Sequence, residues 1–144
     1  MNIVTKYHGT QEIRSEDILK FDGGIPGFPE EKEFVLLPLD ESILTVLQSV
    51  RTPEVGFVVA DPFSFFSGYD FQLSESAMEQ LELAKPEDAV VYTILTVQDP
   101  FEKTTANLQA PVVINSKNNK AKQVILNEVN HKTRHLLFGQ KVKG

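Results

Sequence analysis

The stretch Ala106-Asn107-Leu108-Gln109-Ala110-Pro111-Val112-Val113-Ile114-Asn115 constrains the fold more than any other part of the chain. It begins polar, passes a proline without a backbone N–H, and ends in a β-branched run stopped by asparagine. Proline is confined to strand starts, edges and bulges, so the segment reads as two strand pieces bent at Ala110-Pro111. Val112, Val113 and Ile114 are too short a run for a helix and suit the middle of a sheet. The polar string from Asn115 to Lys120 then reads as a reversal, which returns Ala121 to Leu126 as a hairpin partner.

The rest of the chain is punctuated in the same way. Asn2 to Tyr7 alternates as a first strand, and Gly9-Thr10-Gln11 turns the chain. Ile13, Ile18, Leu19 and Phe21 suggest a second strand bent around Ser15-Glu16-Asp17. Between Phe21 and Pro29 lie Gly23, Gly24 and Gly27, which allow positive φ, and Pro26 and Pro29, which fix φ. That combination predicts an ordered turn of one shape. Glu30-Glu31-Lys32 adds a helical turn, Glu33 to Leu37 is a strand ended by Pro38, and Asp40-Glu41 turns again. Leu44 to Val50 and Gly56 to Ala60 are strong strands on either side of Arg51-Thr52-Pro53-Glu54. Tyr69 to Leu73 reads as a short strand. Ala89 to Val97 is the longest, closed by Asp99-Pro100-Phe101-Glu102.

One helix stands out, at about residues 75–84. Ser76 and Glu79 have capping-box spacing, with Ser74 as the alternative N-cap. Ala77, Met78, Leu81 and Ala84 make its apolar stripe, and Pro86 stops it. Glu75, Glu79 and Glu82 fall on another face at i, i+4 and i+7. About nine or ten short strands with a single short helix predict a mainly β chain: a small antiparallel β-barrel-like domain, since closure removes exposed edges. Residues 1–144 are expected to be one domain, with a basic tail that is flexible from about residue 138.

Charge divides the chain. Residues 1–115 carry 7 Lys+Arg against 19 Asp+Glu, a net −12, and residues 116–144 carry 7 against one acid, a net +6. An acidic body disfavours nucleic acid and favours basic partners. The basic tail lacks the interleaved aromatics of an RNA-binding surface. There is no cysteine, so no disulfide marks an oxidising compartment. No apolar run approaches a membrane span, and a soluble, cytoplasmic protein is expected.

The residues assemble no active site. No serine sits in a G-x-S-x-G elbow, and the histidines lie near the chain ends. His131 and His135 have i, i+4 spacing, but two ligands with only Glu128 nearby fall short of a zinc site. Gly23-Gly24 with Gly27 is glycine-rich, yet Pro26 and Pro29 remove donors that a phosphate cradle would use. Glu30-Glu31 and Glu87-Asp88 sit in turn-like surroundings where solvation keeps both members ionised. No catalysis, metal or cofactor is expected. The aromatic run Phe63, Phe65, Phe66 and Tyr69 is unusually dense. Asp61-Pro62-Phe63 and Asp99-Pro100-Phe101 each end a strand, which would place Phe63 and Phe101 on one rim of a barrel.

The series Phe21-x-x-Gly24-Ile25-Pro26-Gly27-Phe28, Gln48-Ser49 with Pro53, Phe57 and Val59 before Asp61-Pro62, and Ala106-Asn107-Leu108-x-Ala110-Pro111-Val112-Val113-Ile114-Asn115 with Gln123-Val124 closely resembles the FliW family of flagellar assembly factors. The resemblance runs from about Tyr7 to Leu137. It implies a non-enzymatic adaptor with a small β-barrel-like fold. Such an adaptor binds flagellin, and it also binds the translational repressor CsrA and stops it silencing flagellin mRNA. Flagellin occupancy then frees CsrA, and the two protein ligands are coupled through one adaptor. On this reading Phe63, Phe65, Phe66, Tyr69 and Phe101 are the expected apolar contacts, because rim aromatics make good interface anchors. Glu75, Glu79 and Glu82 are the expected acidic contacts, weakening RNA binding by repulsion beside the repressor's basic surface. Gly24, Pro26, Gly27, Phe28, Asn107, Pro111 and Asn115 are expected to be scaffold. Two rivals are a β-barrel that carries a small ligand and an RNA-binding protein that uses residues 117–143.

Overall fold

Short β-branched and aromatic runs favour a pleated, half-buried surface, and here they pair into antiparallel ladders. The computed structural model describes residues 1–39, 44–66, 68–126 and 134–137. Among these residues lie strands β1 (Asn2–Val4), β2 (Thr10–Glu12), β3 (Leu19–Lys20), β4 (Glu33–Pro38), β5 (Thr45–Ser49) and β6 (Gly56–Ala60). Helix α1 (Glu75–Leu81) follows. The chain continues through β7 (Ala89–Thr96), β8 (Thr105–Ala106), β9 (Val112–Asn115), β10 (Ala121–Gln123) and β11 (His135–Leu136). The fold is mainly β with one short α-helix among the described residues, as expected.

The principal sheet runs β10-β9-β7-β6-β5-β4-β3, with β8 on β7 and β11 on β8. It curls until its edges meet; among the described residues they share one parallel bridge, between Lys20 and Lys120, where the Lys20 N–H donates to the Asn119 carbonyl at 2.8 Å. The architecture is therefore barrel-like, with no closing ladder among the described residues. Its interior is filled: Phe21, Phe34, Leu47, Val59 and Val112 are buried together, and Phe21 meets Phe34 edge-on at 5.2 Å. Two flaps cover the outer face. The β1–β2 hairpin places Ile3 and Ile13, with Ile18, on Val35 of β4. Residues 62–66 and 68–83 cover β7, β9 and β10, with Ala77, Leu81 and Leu83 packed on Val113, Val124 and Leu126.

The bend at Ala110-Pro111 is a large bulge. β8 and β9 both pair with β7, through Leu95↔Ala106 and Tyr92↔Val112. Residues 107–111 of one side thus face only Thr93 and Ile94 of the other. Asn107 sets the loop: its Oδ1 accepts the Gln109 and Ala110 N–H groups at 3.1 and 3.0 Å. The Thr93 hydroxyl donates to the Asn107 carbonyl at 2.6 Å. Pro111 falls where no ladder donor is needed.

Several local expectations differ from the structure. The second strand is replaced by β2, a 3-10 turn at Ser15–Asp17 and β3. Gly9-Thr10-Gln11 is not wholly a turn, since Thr10 already pairs with Val4. Glu30-Glu31-Lys32 forms no helical turn; Pro29 and Glu30 complete a tight turn instead, with the Glu31 N–H on the Phe28 carbonyl at 3.1 Å. Tyr69 to Leu73 keeps the alternating burial of a strand but belongs to none of the ladders among the described residues. Helix α1 starts at the alternative cap, Ser74, whose Oγ accepts the Ala77 N–H at 3.1 Å. It ends at Leu81 rather than near residue 84, because Glu82 turns left-handed at φ 56°. The Leu83 N–H closes the end on the Met78 carbonyl at 2.9 Å, a Schellman arrangement. The Asp40-Glu41 turn, His131, Glu128 and the tail from residue 138 lie outside the described residues.

Candidate functional site

The signature turn is built on two glycines with different tasks. Pro26 and Gly27 are the central residues of a two-residue hairpin in which Ile25 and Phe28 exchange backbone hydrogen bonds at 2.6 and 3.2 Å. Gly27 has φ +87°, as the second central position of a type II turn demands. Gly24 has φ +72°, and a Cβ there would lie 2.5 Å from the Pro29 carbonyl oxygen. Phe28, 40 % exposed, leans edge-on against Phe57 at 5.5 Å.

Asn115 is buried and fastens helix α1 to the β9–β10 hairpin. Its Nδ2 donates to the carbonyls of Leu81 (2.9 Å) and Glu82 (3.1 Å), and its Oδ1 accepts the Lys117 N–H at 2.9 Å. These are carbonyls that a helix end leaves unpaired. Gln48 is fully buried in β5. Its Oε1 accepts the Lys6 N–H at 2.9 Å, and its Nε2 donates to the carbonyls of Ser49, Pro53 and Val55 at 3.1 to 3.2 Å.

Glu31 is not simply solvated. Its two carboxylate oxygens accept from Ser49 Oγ at 2.5 Å and Thr52 Oγ1 at 2.6 Å, which ties the signature turn to the β5–β6 turn. These hydroxyls, Ser49 first, hold its carboxyl below the usual carboxylate range.

The expected contact residues are dispersed. Phe63 is 49 % exposed, in a 3-10 turn capped by the Asp61 carboxylate on the Phe63 N–H. Tyr69 is buried, and its hydroxyl donates to the Leu108 carbonyl at 2.7 Å, so it supports Phe63 from beneath at 5.7 Å. Phe65 and Phe66 are half-buried against the same core, and Phe66 meets His135 at 6.0 Å. Phe101 is 39 % exposed, but it does not share a rim with Phe63. β6 and β7 are antiparallel, with Ala60 opposite Thr93. Phe63 therefore follows β6 toward the start of β7, whereas Phe101 lies beyond its end. Glu75 and Glu79 are exposed on α1. Glu82 leaves their stripe with the left-handed turn and approaches Asn118 at 3.3 Å and Lys120 Nζ at 3.9 Å.

Sequence reasoning missed a groove of about 490 Å³ beside α1, lined chiefly by Phe63, Phe71, Leu73, Met78, Pro86 and Val91. The signal was available in Pro62, which ends the β6 ladder and leaves the first half of β7 uncovered on that side. Among the described residues no group of three or more His, Cys, Asp or Glu side chains is placed to hold a metal. His135, which would share a helical face with His131, lies in β11. No helix among them is long and apolar enough to cross a membrane.

Comparison with known proteins spans the whole architecture. The family model described as FliW protein matches residues 2–137. The flagellar assembly factor FliW of Geobacillus kaustophilus is 54 % identical over 142 residues, covering 99 % of both chains. That of Bacillus subtilis is 50 % identical over 141 residues, covering 97 % of this chain and 99 % of its own. A crystal structure of the flagellar assembly factor FliW superposes with a TM-score of 0.94 at 53 % identity, covering 98 % of this chain and 99 % of the other. With nearly its whole length matched in sequence and fold, the chain belongs to the FliW family of flagellar assembly factors.

Proposed function

We propose that this protein is a non-enzymatic, cytoplasmic adaptor in flagellar assembly. It binds the translational repressor CsrA and prevents repression of flagellin mRNA, and it binds flagellin in a partner switch. The observation that carries this reading is identity of about half to flagellar assembly factors across essentially the whole chain.

Electrostatics supports the repressor half. An RNA-binding repressor presents Lys and Arg to phosphates, and an acidic body docked beside that surface repels RNA without covering its site. Glu75 and Glu79 are exposed for this role, while Glu82 is partly neutralised by Lys120. The adaptor touches neither nucleic acid nor membrane. The filled interior around Phe21, Phe34 and Leu47 gives a barrel-borne small ligand no support.

A three-component calorimetric titration with purified CsrA and purified flagellin tests the proposal. Each is expected to bind, and one to displace the other. Absence of binding by both would overturn it.

A further inference from the structure

The pleat of β7 decides which of its backbone groups are paired. The Ser116 N–H donates to the Asp88 carbonyl at 3.2 Å and the Asn107 N–H to the Ile94 carbonyl at 3.0 Å, both on the side of β9 and β8. Along an antiparallel strand the bonding side alternates. The even-numbered residues from Asp88 to Ile94 therefore turn their N–H and C=O groups toward β9 and β8. Ala89, Val91 and Thr93 turn theirs toward β6.

Thr93 finds Ala60 there. Two residues on, the register would set Pro62 opposite Val91. Pro62 has no N–H, and its carbonyl is occupied by the Phe65 and Phe66 N–H groups at 3.1 and 2.8 Å. The Ala89 N–H turns back onto the Pro86 carbonyl. Val91 keeps an N–H and a C=O with no partner among the described residues, and both face the groove. Phe71, Gln72 and Leu73 line the same groove with alternating burial, and they too make no backbone hydrogen bond among the described residues.

Two unpaired backbone stretches bordering one apolar groove match an extended peptide. A helix has no free backbone groups to offer them. The charge is also one-sided: between Asp61 and Val90 the chain carries seven carboxylates and a single cation, Lys85. Asp70 lines the groove, Glu75 lies three residues before Met78 on the same helix face, and Glu87 follows Pro86.

We propose that this groove is a strand-accepting site for a partner protein. It takes an extended segment with alternating apolar residues and Lys or Arg flanks, which pairs backbone to backbone with Val91 while its apolar side chains meet Phe63, Leu73 and Met78. The site stands independently of the adaptor reading, so each can fail alone.

The test is an NMR titration of the isotope-labelled full chain with the blocked peptide Lys-Val-Thr-Val-Thr-Val-Lys and with its analogue N-methylated at alternate residues. Saturable shifts are expected at the Val91 amide and at Phe71 to Leu73. N-methylation of the pairing amides is expected to weaken binding about tenfold or more, since each removes a backbone bond. Combined Glu75→Gln and Glu87→Gln substitution is expected to weaken binding and flatten its salt dependence. Absence of shifts at millimolar peptide, or equal binding of the N-methylated analogue, would overturn the proposal. So would a Val91 amide already protected from exchange in the free protein, which would mean that the chain itself fills the groove.

Discussion

Gln48→Met isolates one buried hydrogen-bond hub at nearly constant side-chain volume. Gln48 is fully buried and joins three segments: it accepts from the Lys6 N–H after the first strand and donates to carbonyls on both sides of the β5–β6 turn. Methionine fills the space but supplies none of these bonds. The Val55 carbonyl keeps the Ser49 N–H at 2.9 Å, whereas the Lys6 N–H and the Ser49 and Pro53 carbonyls lose their Gln48 partner. A buried polar group left unpaired costs about 1–3 kcal/mol, and the exposed setting of Lys6 puts its share at the low end. The expected loss is about 2–4 kcal/mol, or roughly 10 °C in Tm for a domain of this size. Urea unfolding followed by far-ultraviolet circular dichroism suits a chain without tryptophan; the midpoint should fall with the m-value unchanged. A loss below about 0.5 kcal/mol would refute the reasoning, because it would mean that water replaces the amide freely. Gln48→Glu sharpens the test. A carboxylate facing three carbonyls must be protonated to donate, so its folded pKa rises above the unfolded value of about 4.3. Its stability contribution is then present below that value and lost as pH rises through the folded pKa.

Glu31 has the opposite sign: with its folded pKa lowered by Ser49 and Thr52, its contribution is present above the unfolded pKa and lost as pH falls through the folded one. Glu31→Gln should therefore flatten the acid limb of stability against pH in denaturant titrations. Gly24→Ala should cost well over about 2 kcal/mol, because a left-handed φ is joined by a 2.5 Å approach to the Pro29 carbonyl, whereas Gly27→Ala, with open space around it, should cost only about 1–2 kcal/mol. Asn115→Ala should cost about 1–3 kcal/mol and speed hydrogen exchange at Lys117, whose N–H bonds the lost Oδ1.

The strands were legible because their boundaries are written in prolines, glycines and β-branched runs. Val112 to Asn115 and Gly56 to Ala60 appear as the residues dictate. Tyr69 to Leu73 shows the limit. Its alternation is real, with Tyr69 buried and Asp70 exposed, but alternation records one apolar face and not a hydrogen-bonded neighbour. Helix α1 ends early for a similar reason. Ala84 keeps the helical spacing, yet the end is set by Asn115, which is remote in sequence and captures the Leu81 and Glu82 carbonyls. Two strand ends that share a tripeptide say nothing of direction, and antiparallel pairing of β6 and β7 sends Phe63 and Phe101 apart.

The residues that make the family recognisable are spent on backbone geometry. Gly24, Pro26 and Gly27 shape one turn, Asn107 and Pro111 shape the bulge, and Asn115 seals the end of α1. Side chains committed to their own main chain have few polar atoms left for a partner. Recognition surfaces must then be sought where the backbone is least satisfied and the charge most one-sided. Both conditions meet between Asp61 and Val90, a stretch that carries seven carboxylates against Lys85 alone and whose Asp70 lines the groove at the open edge of β7. The flap is joined to the sheet by Asn115, whose buried amide holds the end of α1 against the β9–β10 hairpin. Gly24, Pro26, Gly27, Asn107, Pro111 and Asn115 shape turns, a bulge and a helix end, and none of them lines the groove beside α1.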